Sequence, residues 1–143
     1  MKVRPGITLL KEVVGYGDVA EKGDRFEAVY KFFYNKGDPI LFNTCWHKPI
    51  PQLVTVDGKD VIGWGPMEMR QSNVVYQYDG WLARQSDLLP GIYYSVLGMK
   101  TMGYRHVKIA PHFMANSMGD GTPIKKGSIV KVEIYLIAVR KTA

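Results

Sequence analysis

The sequence predicts an α+β fold, an antiparallel β-sheet folded around one short helix. Three observations carry that expectation. Phe26, Ala28, Tyr30, Phe32 and Tyr34 share one face at period two, and Val130, Val132, Ile134, Leu136 and Ala138 do the same near the C-terminus. Only one stretch, from Pro90 onward, spaces its apolar residues at three and four. Glycines (15) and prolines (8) punctuate the chain without a low-complexity linker or an internal repeat, so the elements are short.

Taken in order, the strand over 25–35 closes on Asn35-Lys36-Gly37-Asp38, a turn composition, and Pro39-Ile40-Leu41-Phe42 resumes an extended run. Residues 51–56 and 73–78 read as further strands. The second closes on Asp79-Gly80, which reads as the turn of a hairpin leading to Trp81. Proline's fixed φ suits a first helical turn, so the helix begins near Pro90. Ile92, Val96 and Met99, with Tyr93 and Leu97, form its apolar stripe. It ends within 98–103, with Lys100 set against the C-terminal dipole. Tyr104-Arg105-His106-Val107-Lys108-Ile109 alternates, placing His106 at a solvent-facing strand position. In the last strand Lys131, Glu133, Tyr135 and Ile137 form the face opposite the core.

Composition bounds the function. A chain of 143 residues suits one domain, 1–143, that buries its own core. Hydrophobic content of 46% with 22% charged residues fits a soluble globular protein and excludes disordered and collagen-like classes. One cysteine, Cys45, excludes an internal disulfide framework and a zinc site of several thiolates. No run approaches the roughly 18 apolar residues of a membrane span. Pro5 and Gly6 fall where a secretory apolar stretch would lie, so a cytoplasmic protein without membrane association is expected. The net charge of +6 belongs wholly to residues 100–143, which hold 8 bases against Asp120 and Glu133. That bias suits solvated surface, and it would also attract phosphate or an acidic partner.

Searches for familiar chemistry come back empty. His47, His106 and His112 lack metal-ligand spacing, and no metal or cofactor is expected. Cys45 stands near His47 without an elbow motif, which suits a small buried thiol better than a nucleophile. Gly15-Tyr16-Gly17-Asp18 is too short for a dinucleotide loop, and Gly119-Asp120-Gly121 lacks the spaced carboxylates of a calcium loop. Lys100, Arg105, Lys108, Lys125 and Lys126 lie among aromatics, but no RNP, KH or zinc pattern accompanies them, so nucleic-acid binding is not expected.

Four blocks, in order, resemble the FKBP family of peptidyl-prolyl isomerases. Residues 11–37, KEVVGYGDVAEKGDRFEAVYKFFYNKG, resemble the family's opening strand, KGD turn and VxVxY strand. Residues 88–105, LLPGIYYSVLGMKTMGYR, resemble its VIPGWEEALxGMxxGxxR helix. Ile109-Ala110-Pro111-His112-Phe113 is similar to the strand and IPPxL segment that follow. Thr122-Pro123-Ile124 through Val139 resembles the flap and last strand. The resemblance implies a strongly bent antiparallel sheet wrapped around the helix, with an inserted β-rich segment at about 45–87. That insert holds Trp46, Trp64 and Trp81 and either packs a small core of its own against the sheet, rebuilds the pocket wall or adds a partner surface. Gly58-Lys59-Asp60-Val61-Ile62-Gly63-Trp64 echoes the start of the family helix, but 88–99 keeps the spacing and is preferred.

The family's activity needs no proton-transfer group. Rotation about X–Pro is slow because amide resonance must be broken, at roughly 18–20 kcal/mol. A pocket that holds the proline ring in apolar surroundings binds the twisted amide better than either planar form. Residue by residue, the resemblance implies a substrate-binding pocket of Tyr30, Phe42, Asn43, Leu88, Leu89, Ile92, Phe113, Ile124 and Val132. The backbone N–H of Leu89 would hold the ligand carbonyl. Proline-containing peptides or proteins, and a macrolide-type ligand, are the implied partners. Asn43 stands where the motif has Asp, Ile92 where it has the Trp of the pocket floor, and Ala115-Asn116 where it has Tyr-Gly. A smaller, reshaped pocket follows, with trimmed activity or, as the alternative, a non-catalytic chaperone or protein-interaction module. Trp64 or Trp81 could supply the missing indole.

Overall fold

The computed structural model describes residues 2–40, 51–64, 76–82, 90–111 and 127–141. In chain order these hold β1 (Lys2–Arg4), β2 (Ile7–Val13), β3 (Arg25–Tyr34), β4 (Pro51–Val56), β5 (Lys59–Trp64), β6 (Tyr76–Trp81), α1 (Pro90–Val96), β7 (Tyr104–Ile109) and β8 (Val130–Arg140). Six strands make one antiparallel sheet in the order β1-β2-β7-β8-β3-β6, and β4 and β5 pair as a separate hairpin. The α+β expectation holds.

The long strands follow the period-two pattern. Phe26, Ala28, Tyr30 and Phe32 of β3 and Val130, Val132, Ile134 and Leu136 of β8 all enter one buried cluster. Burying such side chains is the main favourable term in folding, about 1.5–3 kcal/mol for each large one. The alternation of β8 does not run to its end. Glu27 pairs with Ala138 and Ala28 with Leu136, so Ile137 is the extra residue of a bulge. Beyond it Val139, and not the expected Ala138, turns to the core, while Ile137 packs on the opposite face.

Helix α1 is seven residues long and lies on the core side, with Gly91, Ile92, Tyr93, Ser95 and Val96 buried. Pro90 opens it, as expected. Gly98, at φ 87°, ends it in the left-handed conformation that a Cβ disfavours. The C-terminal carbonyls are met by Arg105, whose Nη1 donates to Ser95 O at 2.9 Å and Leu97 O at 3.1 Å. Lys100, expected in that role, instead forms an isolated bridge with Val19.

One reading of the 45–87 stretch changes, and the preference for 88–99 over 58–64 as the helix start holds. Asp79-Gly80 lies inside β6, paired with Glu27 and Phe26 of β3, and is no hairpin turn. Gly80 serves close packing: a Cβ there would sit 2.6 Å from the Tyr78 hydroxyl and 2.8 Å from its ring carbon. Residues 59–64 form β5 and not a helix start, joined to β4 through Asp57 and Gly58, both at positive φ. This hairpin covers the sheet's outer face, where Leu53 and Ile62 pack against Val29, Tyr104 and Tyr135. Lys31 Nζ donates to Pro51 O at 2.9 Å, and Lys11 pairs with Asp60 at 3.0 Å. Part of the insert therefore does build a small second core.

Candidate functional site

Three of the nine expected site residues are described, and all three meet in the core beneath α1. Tyr30 and Ile92 are 2% exposed and Val132 is fully buried. Tyr30 reaches this position because β3 alternates, Val132 because it stands directly opposite Phe32, and Ile92 because it lies on the helix's buried stripe. Phe42, Asn43, Leu88, Leu89, Phe113 and Ile124 lie outside the described residues. So do Cys45, Trp46, His47, His112, Ala115 and Asn116.

Around Tyr30 the structure assembles a run of rings. Tyr30 and Phe32 meet edge to face at 5.8 Å, and Tyr30 stacks near Tyr78 at 6.4 Å. Tyr78 in turn contacts Phe26 at 5.0 Å. These spacings lie in the favourable range for aromatic pairs. Tyr78 was not anticipated as part of this wall. The available signal was its period-two spacing with Tyr76 and Gly80 in an extended run. The expectation that Trp64 or Trp81 replaces the missing indole is not met. Both are about half exposed and neither belongs to the cluster around Ile92. Trp81 lies instead beside the Arg25 guanidinium at 6.0 Å.

The outer face of the same sheet carries the charge. Across it Lys31 pairs with Glu133, Glu133 with His106, and His106 with Lys11. Tyr104 Oη donates to Glu133 at 2.6 Å, and burial with that carboxylate nearby pushes the Tyr104 and Tyr135 hydroxyls well above the ordinary tyrosine range. Burial also lowers the Lys31 ammonium, against the pull of Glu133. His106 is half-buried here and not solvent-facing as expected. Burial lowers it below its ordinary value of 6.5, and Lys131 and Lys11 add to this against Glu133.

The stability consequence has a definite sign. A histidine whose folded pKa is depressed binds its proton more readily when unfolded, so stability rises with pH. We expect urea stability to fall as pH drops below 6.5 toward the lowered folded value. His106→Gln should flatten that part of the curve, and an unchanged slope would contradict this placement. Among the described residues no three His, Cys, Asp or Glu side chains gather as metal ligands, and none of the described helices is long and apolar enough to cross a membrane.

Six antiparallel strands with one short helix packed on the core side of the sheet also occur in solved structures. A peptidyl-prolyl cis-trans isomerase from Pseudomonas syringae pv. tomato superposes with TM-score 0.54 over 94% of this chain and 74% of its own, at 18% identity. The three FKBP domains of wheat FKBP73 give TM-score 0.58 over 95% of this chain, at 17% identity. The chain has an FKBP-like fold. It spans 46% of that three-domain chain's length. No family model matches the sequence, and no curated protein matches it. At these identities the likeness concerns the FKBP-like backbone, so function rests on what the side chains offer. Between sheet and helix they form a closed apolar core that includes the rings of Phe26, Tyr30 and Phe32.

Proposed function

We propose that this FKBP-like chain is a peptidyl-prolyl cis-trans isomerase that binds X–Pro segments in a pocket backed by the buried layer of Tyr30, Ile92 and Val132. The observation that supports it is the presence of those three residues, from β3, α1 and β8, in one buried hydrophobic core. An apolar pocket of this kind strips water from the proline ring. It also favours the amide that has lost resonance, because a twisted amide is less polar than a planar one. Ile92 in place of an indole leaves the floor apolar but smaller, so the rate enhancement should be modest. That same substitution favours the second reading, a non-catalytic module that holds proline-containing proteins without turning them over. A macrolide-type ligand would occupy the same pocket. With one cysteine and no pattern of a secreted scaffold, a reducing, cytoplasmic setting suits the chain.

The test is magnetisation exchange between cis and trans forms of a short Ala-Pro peptide, with the full chain present. The isomerase reading expects exchange above the uncatalysed rate, in proportion to protein. Binding of the peptide without faster exchange would select the non-catalytic module. No binding and no exchange at high protein concentration would refute both.

A further inference from the structure

Away from the proposed proline pocket, the described residues enclose a cavity of about 160 Å³. It is lined by Glu12 and Val13 at the end of β2, by Gly98, Met99 and Lys100 beyond α1, and by Arg105 of β7. Arg105 is largely covered, its side chain 15% exposed. Its Nε is held by Glu12 Oε2 at 2.6 Å and its Nη1 by the two α1 carbonyls. Nη2 has no hydrogen bond among the described residues. It is the nearest atom to a Cβ built on Gly98, at 4.0 Å, so the glycine leaves the approach to it open. Lys100 is exposed at the rim and forms no ion pair among the described residues. Glu12, Arg105 and Lys100 together leave one positive charge without a partner.

A second observation adjoins the first. Val14 also lines the cavity, and Val14 and Tyr16 are 67% and 84% exposed, the most exposed large apolar side chains described. Their loop is firmly seated: the N–H groups of Tyr16 and Gly17 donate to Thr101 O at 3.1 and 3.2 Å, and Thr101 N donates to Asp18 O at 2.9 Å. An aromatic ring held in water by a fixed backbone suits recognition better than packing.

We propose that this corner docks an acidic segment of a partner protein. One Glu or Asp carboxylate enters between Arg105 Nη2 and the Lys100 ammonium, against Met99 and Val13, while flanking apolar side chains rest on Val14 and Tyr16. A single carboxylate balances the site's excess charge.

The test uses the full chain and a proline-free probe, acetyl-Ala-Leu-Glu-Leu-Ala-amide, with its Gln counterpart. Because the probe lacks proline, the result stands apart from the fate of the isomerase reading. The Glu peptide should shift the backbone amide signals of Gly98, Lys100 and Gly103, and the Gln peptide should bind about tenfold more weakly. Lys100→Glu and Tyr16→Ala change exposed side chains and should each weaken the Glu peptide while leaving the fold's spectrum intact. Salt raised from about 50 to 300 mM should weaken it further. Equal binding of both peptides, full binding by either variant, or no shift at millimolar peptide would overturn the proposal.

Discussion

Tyr30→Ala is expected to cost about 3–5 kcal/mol of folding free energy, the range for stripping a buried ring. Tyr30 is 2% exposed and joins Phe32, Tyr78 and Phe26 in one run of rings, so its removal leaves a hole bordered by aromatics that cannot collapse into it. Tyr30→Phe keeps the ring and should change stability by less than about 1 kcal/mol. Urea unfolding of the three proteins checks both figures. A loss below about 1 kcal/mol for Tyr30→Ala would mean that β3 does not hold this face against the core.

Gly15→Ala is the second large effect, and it comes from backbone. A Cβ at Gly15 would stand 2.2 Å from Thr101 O, 2.6 Å from Gly103 N and 2.7 Å from Lys100 O. Main chain surrounds it, so no side-chain rotation relieves the clash. The strand end, the loop and the turn after α1 must separate instead, at about 3 kcal/mol. Val14→Ala, next to it but exposed, should stay within about 0.5 kcal/mol. Equal midpoints for the two variants would contradict the close approach of the 13–17 and 100–103 segments.

These two residues also show what the sequence makes legible. Tyr30 lies in a strand whose alternation persists over ten residues, so strand, face and core membership all follow from period two. The helix follows from Pro90 and its stripe. Features that depend on a partner far along the chain do not. The bulge at Ile137 appears only when β8 is laid against β3. Arg105 caps α1 from a different strand, beyond the reach of rules that look for a cation in the helix's last turn. Asp79-Gly80 has the composition of a turn, yet its glycine answers to the Tyr78 ring. The outer-face core was hidden because Tyr135 and Val29 are read as solvent-side until a hairpin from 51–64 covers them. Strand and helix periodicity placed Tyr30, Ile92 and Val132 in the core, and the resemblance implied their place in a pocket. Phe42, Asn43, Leu88, Leu89, Phe113 and Ile124 come from the resemblance alone, since residues in connecting segments have no period to read.

The central claim is that proline binds over the buried layer of Tyr30, Ile92 and Val132. Methyl signals of Ile92 and Val132 report on it directly during titration with an Ala-Pro peptide and its Ala-Ala counterpart. Both methyl groups should shift with the proline peptide and stay still with the other. Shifts of equal size with both peptides, or none with the proline peptide at millimolar concentration, would contradict the account.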